Sequence, residues 1–233
     1  MINGASLRAP EFSEASSQLD PGPVAIETGV ARLGSGHLYV AARTDMPGCK
    51  GRMFEWWFRF APDTQQYLWW HPTDHVSSTW RETSPTSHVG STHIVEERLA
   101  GSDVHALQIH FIDPHDVFGS DYDDAVAAGQ VSAAVCAQIG IGEDPARDAR
   151  GRPNMGRMTH IARDTEDGLV LRSRFWLGYG TGLPPEELER VVPDELGLQL
   201  MRHAHTEFKH LARFLPSLYR AENQQTEPTS DLW

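Results

Sequence analysis

The segment DELGLQLMRHAHTEFKHLARF (194–214) decides the fold. Leu196, Leu200, His203, Glu207, Leu211 and Phe214 recur at steps of three and four, so they share one face of a helix. Asp194 and Glu195 suit its first turn, and Pro216 marks its expected end. Working outward, GHLYVAARTDM (36–46), THIVEERL (92–99), VHALQIHFID (104–113), VSAAVCAQIGI (131–141), MTHIARDT (158–165) and LVLRSRFWLG (169–178) read as strands. Glu166-Asp167-Gly168 is the hairpin signal between the last two. QQYLWWHP (65–72) is strand-like and stopped by Pro72, whereas CKGRMFEWWFRF (49–60) predicts a short helix. A run of strands followed by a long helix with a broad apolar face predicts an α+β fold. Its antiparallel sheet curves over the C-terminal helix and leaves a cavity between them. Residues 1–22 read as a loose arm, 23–221 as a single domain and 222–233 as a polar tail.

Composition narrows the function. The 233 residues carry 20 Lys and Arg against 32 Asp and Glu, a net charge of -12. Such a chain has no electrostatic grip on a nucleic acid or an anionic membrane. Two cysteines, Cys49 and Cys136, exclude a disulfide scaffold and a cysteine zinc knuckle. No secretory signal and no apolar run of membrane-spanning length are visible, so a soluble, cytoplasmic protein is expected. The twelve histidines are the unusual feature, because several sit inside apolar patterns.

His203 and Glu207 form an i, i+4 pair within the stripe meant for the core. An unpartnered buried carboxylate costs several kcal/mol, and a divalent metal removes that cost, since imidazole and carboxylate both ligate Zn²⁺ at ~2.0–2.2 Å. A His–Glu hydrogen bond, or a helix rotated to expose Glu207, would answer the same need. In YLWWHPTDHVSS (67–78), one of His71 and His75 can turn inward while Asp74 orients an imidazole; both can equally be surface residues at a turn. In THIVEERL, His93, Val95 and Glu97 face one way and Ile94, Glu96 and Arg98 the other. One of the two adjoining glutamates therefore points into the cavity, unless both serve the solvent face. His160 can be a general acid or base, or a structural histidine.

The motifs MPGCKGRMFEWWF, YLWWHPTDH, VGSTHIVEE, HIARDTEDGLVLRSRFWLG and RHAHTEFKHL occur in that order, and the resemblance they carry spans roughly residues 38–215. The set resembles the 2,4-diacetylphloroglucinol hydrolase and phloretin hydrolase family. The resemblance implies a Bet v 1-like helix-grip fold and a Zn²⁺-dependent hydrolase. That enzyme would cleave a carbon–carbon bond of an acylated polyphenol, a small aryl ketone, to a phenol and a carboxylic acid. It implies His75, Glu97, His203 and Glu207 as metal ligands, Tyr67 against a ring hydroxyl and His160 in proton transfer. It also implies a homodimer.

Two positions depart from the family pattern. Ser78 stands where the family can place an Asn against the ring, and Phe175 where a second tyrosine falls, with Tyr179 nearby. Trp56, Trp57, Trp69 and Trp70 either wall the cavity with Phe175 or pack in the core. Two other readings stay open: a non-catalytic module binding a hydrophobic ligand, and a metal-dependent hydrolase of another β-diketone-like substrate.

Overall fold

A computed structural model describes residues 8–223. Eight strands form one antiparallel sheet in the order β1-β2-β8-β7-β6-β5-β4-β3. They are β1 (Gly29–Arg32), β2 (Leu38–Pro47), β3 (His75–Arg81), β4 (Thr92–Arg98), β5 (Val104–Ile112), β6 (Ala133–Ile141), β7 (Gly156–Asp164) and β8 (Gly168–Leu177). The helices are α1 (Gly51–Phe60), α2 (Thr64–Trp70), α3 (His115–Phe118), α4 (Asp121–Ala127), α5 (Pro185–Val191) and α6 (Asp194–Asn223). The expected helix-grip arrangement is present, with α6 held against β1, β2, α1 and α2. Gly197 permits that approach, because a Cβ there would lie 2.7 Å from Leu38 Cδ2 and 2.9 Å from Val30 Cγ1. No helix among the described residues is long and apolar enough to cross a membrane.

The middle of the sheet is buried on both faces, and β6 there is a nearly continuous apolar run. Val40, Val135, Ala137, Phe175 and Leu177 belong to the inner core with Phe208, Leu211 and Leu215 of α6. The alternate residues Tyr39, Ala41, Cys136, Ile161 and Trp176 belong to an outer core with Ala15, Leu19, Phe118 and Ala125. The segment expected to be a loose arm supplies part of that outer cover. Phe12–Leu19 is a 3-10 helix with Ala15, Gln18 and Leu19 buried, and the Trp176 indole donates to the Pro10 carbonyl at 2.9 Å. Arg172 and Arg174 lie on this outer side, where Arg172 pairs with Glu27 at 2.5 Å. The polar tail lies outside the described residues apart from Glu222 and Asn223, which end α6.

Two local expectations fail for identifiable reasons. Residues 64–70 are a helix, not a strand. Asp63 accepts from the Gln66 backbone at 2.9 Å, and Gln66 accepts in return from the Asp63 backbone at 2.8 Å. This reciprocal cap starts the helix and puts Tyr67 and Trp70 on one buried side. Pro216 does not end α6, which runs on to Asn223. Proline removes the bond to the carbonyl four residues back, that of Ala212, and the Cys49 thiol lies 3.9 Å from that oxygen. Burial of Leu215 and Tyr219 carries the helix past the break.

Candidate metal centre and ligand cavity

Four acid and imidazole side chains converge from three elements on one point. His75 opens β3, Glu97 lies opposite it on β4, and His203 and Glu207 sit one turn apart on α6. His75 Nε2 is 3.8 Å from Glu97 Oε2 and 3.7 Å from Glu207 Oε2. His203 Nε2 is 3.7 and 3.9 Å from the same two oxygens. A tetrahedral ion bound at ~2.0–2.2 Å holds its ligand atoms about 3.3–3.6 Å apart, so the spacing is close to that of a four-ligand N/O site. His75, His203 and Glu207 form a group that could hold a metal ion, with Glu97 beside it, and His71, Asp74 and His203 form a second such group that shares His203. Strand alternation turns Glu97 inward and leaves Glu96 exposed, which separates the two adjoining glutamates.

The hydrogen bonds behind these atoms suit a cation-binding site. His75 Nδ1 lies 2.7 Å from the Tyr67 carbonyl, which can only accept, so Nδ1 carries the proton and Nε2 the lone pair. That Nε2 is buried and has no hydrogen-bond partner among the described residues. His203 Nδ1 lies 3.2 Å from Asp74 Oδ2, which fixes the same tautomer. Asp74 thus orients an imidazole of α6, and the same oxygen also lies 3.5 Å from His71 Nε2. It also accepts from the Ala100 backbone at 2.9 Å, while His71 stacks on His203 with ring centroids 4.8 Å apart. Tyr67 donates to Glu97 Oε2 at 2.5 Å and stacks on His75 at 3.6 Å.

Without a cation the cluster is frustrated. Burial pushes the Glu207 carboxyl up to about 8 against the pull of His203, with the Glu97 charge adding to the rise. Burial alone would lower His203, but Glu97, the Asp74 hydrogen bond and Glu207 raise it to about 9. Burial and the neighbouring His203 push His75 down. The cluster therefore holds protons that a bound dication would displace.

The centre sits on the wall of a cavity between α6 and strands β4–β8. Leu107, Ile109, Ile139, Ile141, Leu196 and Leu200 supply apolar walls, and Tyr67, His93 and His160 bring polar groups to the lining. Residues 9–220 match the family model described as the DAPG hydrolase PhiG domain. The chain belongs to the DAPG hydrolase family. It is 30% identical to a 2,4-diacetylphloroglucinol hydrolase of Pseudomonas protegens, over 91% of this chain and 73% of that protein. It is 29% identical to a phloretin hydrolase of Eubacterium ramulus, over 80% of this chain and 69% of the relative. Relatives that are hydrolases by name place this DAPG hydrolase family member among enzymes. Among solved structures, Ara h 8.0201 aligns at 10% identity and a TM-score of 0.45, covering 81% of this chain and 99% of that one.

In this DAPG hydrolase family member, Tyr67, Trp70, His160 and Phe175 line the cavity with Glu97, His203 and Glu207. Trp57 and Ser78 do not. The Trp57 ring packs edge-on against Trp70 and Phe214, at 5.6 Å from each. Ser78 is turned to the Pro62 carbonyl and to His93. Trp56 packs on Phe60 and Tyr219, Trp69 is exposed, and Tyr179 lies against Phe12 in the outer core. His160 is buried among Phe54, Phe58, Phe175 and Phe208. Its Nδ1 meets Ser173 Oγ at 2.8 Å, and burial holds it neutral with a pKa of about 3.

Some histidines sit where their sequence context gives no sign. His88 is buried against Phe111 with both ring nitrogens unpartnered among the described residues. His115 is exposed, between Asp113 and Asp123. The role of His93 in the cavity wall was signalled only by its shared parity with Glu97.

Proposed function

We propose that this chain is a zinc-dependent hydrolase that splits the aryl-ketone carbon–carbon bond of an acylated polyphenol. The products are the free phenol and a carboxylic acid. The observation that carries this reading is the unpartnered His75 Nε2, set with His203 Nε2 between two buried carboxylates on the wall of an apolar cavity. His75, Glu97, His203 and Glu207 would hold the ion. A bound Zn²⁺ supplies Lewis acidity toward an acyl oxygen and lowers the pKa of water to about 7.

The chain's own groups account for the rest. An ortho hydroxyl in its keto form makes the substrate a β-diketone, so the acyl carbon can accept water. Breaking the bond to the ring leaves an electron pair that the ring holds as a phenolate; the ring carbon keeps the proton it gained in the tautomerisation, and the proton given up by water goes to the phenolate oxygen. Tyr67 spends its own proton on Glu97, so its oxygen has a lone pair left to accept from a ring hydroxyl. His160 is neutral and hydrogen-bonded through Nδ1, which leaves its other nitrogen to exchange a proton within the cavity. The apolar walls exclude water from the acyl chain and the ring faces.

The test is metal analysis of the purified protein together with a panel of acylphloroglucinols, with the released acids read by mass spectrometry. Stoichiometric zinc and acid release are expected, and His203→Ala and Glu207→Ala should lose both. A wild type with no stoichiometric divalent ion sinks the reading.

A further inference from the structure

The hydrogen bonds behind the cavity wall fix the tautomer of a histidine that the reaction outlined above does not use. The Pro62 carbonyl accepts two bonds, from the Trp80 indole at 3.0 Å and from Ser78 Oγ at 2.9 Å. A hydroxyl has one proton, so Ser78 Oγ must accept in its remaining contact, at 2.9 Å from His93 Nε2. His93 therefore carries its proton on Nε2 and a bare lone pair on Nδ1. Its ring lines the cavity and no protein group among the described residues bonds Nδ1. The ring is locked between Trp80, stacked at 4.1 Å, and the edge of Tyr67 at 5.2 Å. Burial lowers its pKa to about 3, which keeps it neutral.

We propose that His93 Nδ1 accepts a hydrogen bond from a phenolic hydroxyl of the substrate ring, in the tautomer that Ser78 imposes. This deepens the hydrolase reading and rests on it for the chemical class of the ligand. Ser78 then acts on the ring through His93 although it does not reach the cavity. The contact also selects. Nδ1 can only accept, as can the oxygen of Tyr67 once its proton is given to Glu97. This wall takes ring substituents that donate, and it rejects the same ring with its hydroxyls methylated.

The measurement is calorimetric binding of phloroglucinol and of its tri-O-methyl ether to the metal-free full chain, which needs no turnover. The wild type should bind the phenol and discriminate against the ether. His93→Phe keeps the aromatic stack and should weaken phloroglucinol by about 10-fold, the worth of one hydrogen bond. Its affinity for the ether should change by no more than about 2-fold. Ser78→Ala frees the tautomer and should fall between the two. His93→Asn, which restores a polar group near the Nδ1 position, should recover part of the loss. Thermal melts show which variants are folded, and His93→Asn serves if the Phe variant is not. Phenol binding as tight in folded His93→Phe as in the wild type overturns the inference. So does a wild type that binds phenol and ether alike, or neither. A wild type that discriminates as expected but releases no acid from acylphloroglucinols leaves His93 assigned and refutes the hydrolase instead.

Discussion

Acidification of the metal-free protein should unfold it steeply, because the fold stores five buried histidines neutral. Burial lowers His71 and His88 to about 4 and His93 and His160 to about 3, and it pushes His75 down as well. In the unfolded chain each returns to about 6.5. A depressed histidine costs nothing above pH 6.5, and its penalty grows as pH falls toward the folded value. Glu207 works the other way: raised to about 8, it holds a proton in the fold that the unfolded carboxylate releases above about 4.5. His203, raised to about 9, is protonated in both states at pH 5 to 6. Five histidines against one carboxyl leave a net uptake of about four protons on unfolding. At about 1.4 kcal/mol per proton and pH unit, roughly 5 kcal/mol of stability disappears between pH 6 and 5. That is comparable with the whole stability of a small domain.

Urea unfolding at a series of pH values, followed by tryptophan fluorescence, gives this slope directly. His88→Phe should remove about one proton from the uptake and stabilise the protein at pH 5 by about 2 kcal/mol, since both nitrogens of His88 are unpartnered among aromatic rings. An uptake of one proton or fewer between pH 5 and 6 would refute the reasoning.

Zinc titrated at pH 7 should release about two protons, one from His203 and one from Glu207, so affinity should rise with pH; calorimetry in buffers of different ionisation enthalpy counts them. Asp74→Ala removes the carboxylate that fixes the His203 tautomer and should weaken zinc about 10–100-fold in a competition assay with a chelator. Gly197→Val drives a side chain into Leu38 and Val30 and should cost about 1–3 kcal/mol, read as a lower midpoint in thermal melting.

Much of the architecture could be read from periodicity. Alternation marked the hairpin of β7 and β8, and the stripe from Leu196 to Phe214 marked α6. The convergence of His203 and Glu207 with residues on β3 and β4 rested on family motifs, because no local pattern states which strand a helix will face. What stayed hidden was of two kinds. Asp63 and Gln66 are a legible helix start, but the aromatic run after them looks like a strand until its burial is known. The partners of Asp74 and Ser78 depend on packing. His203 lies 129 residues from Asp74 in sequence, and Ser78 reaches His93 only through the register of β3 against β4. The burial of His88 is likewise tertiary.

Strand β8 shows how tightly the two faces of the sheet are tied to residue count. Ser173, Phe175 and Leu177 alternate there with Arg172, Arg174 and Trp176. Deleting one residue inside β8 would swap every later position between compartments, carrying Arg174 toward the apolar cavity and Phe175 toward Glu27. Substitutions can be absorbed one at a time, but a change of chain length here cannot. Insertions and deletions in this protein should therefore survive selection in the connections, such as residues 143–155, and be purged from the strands.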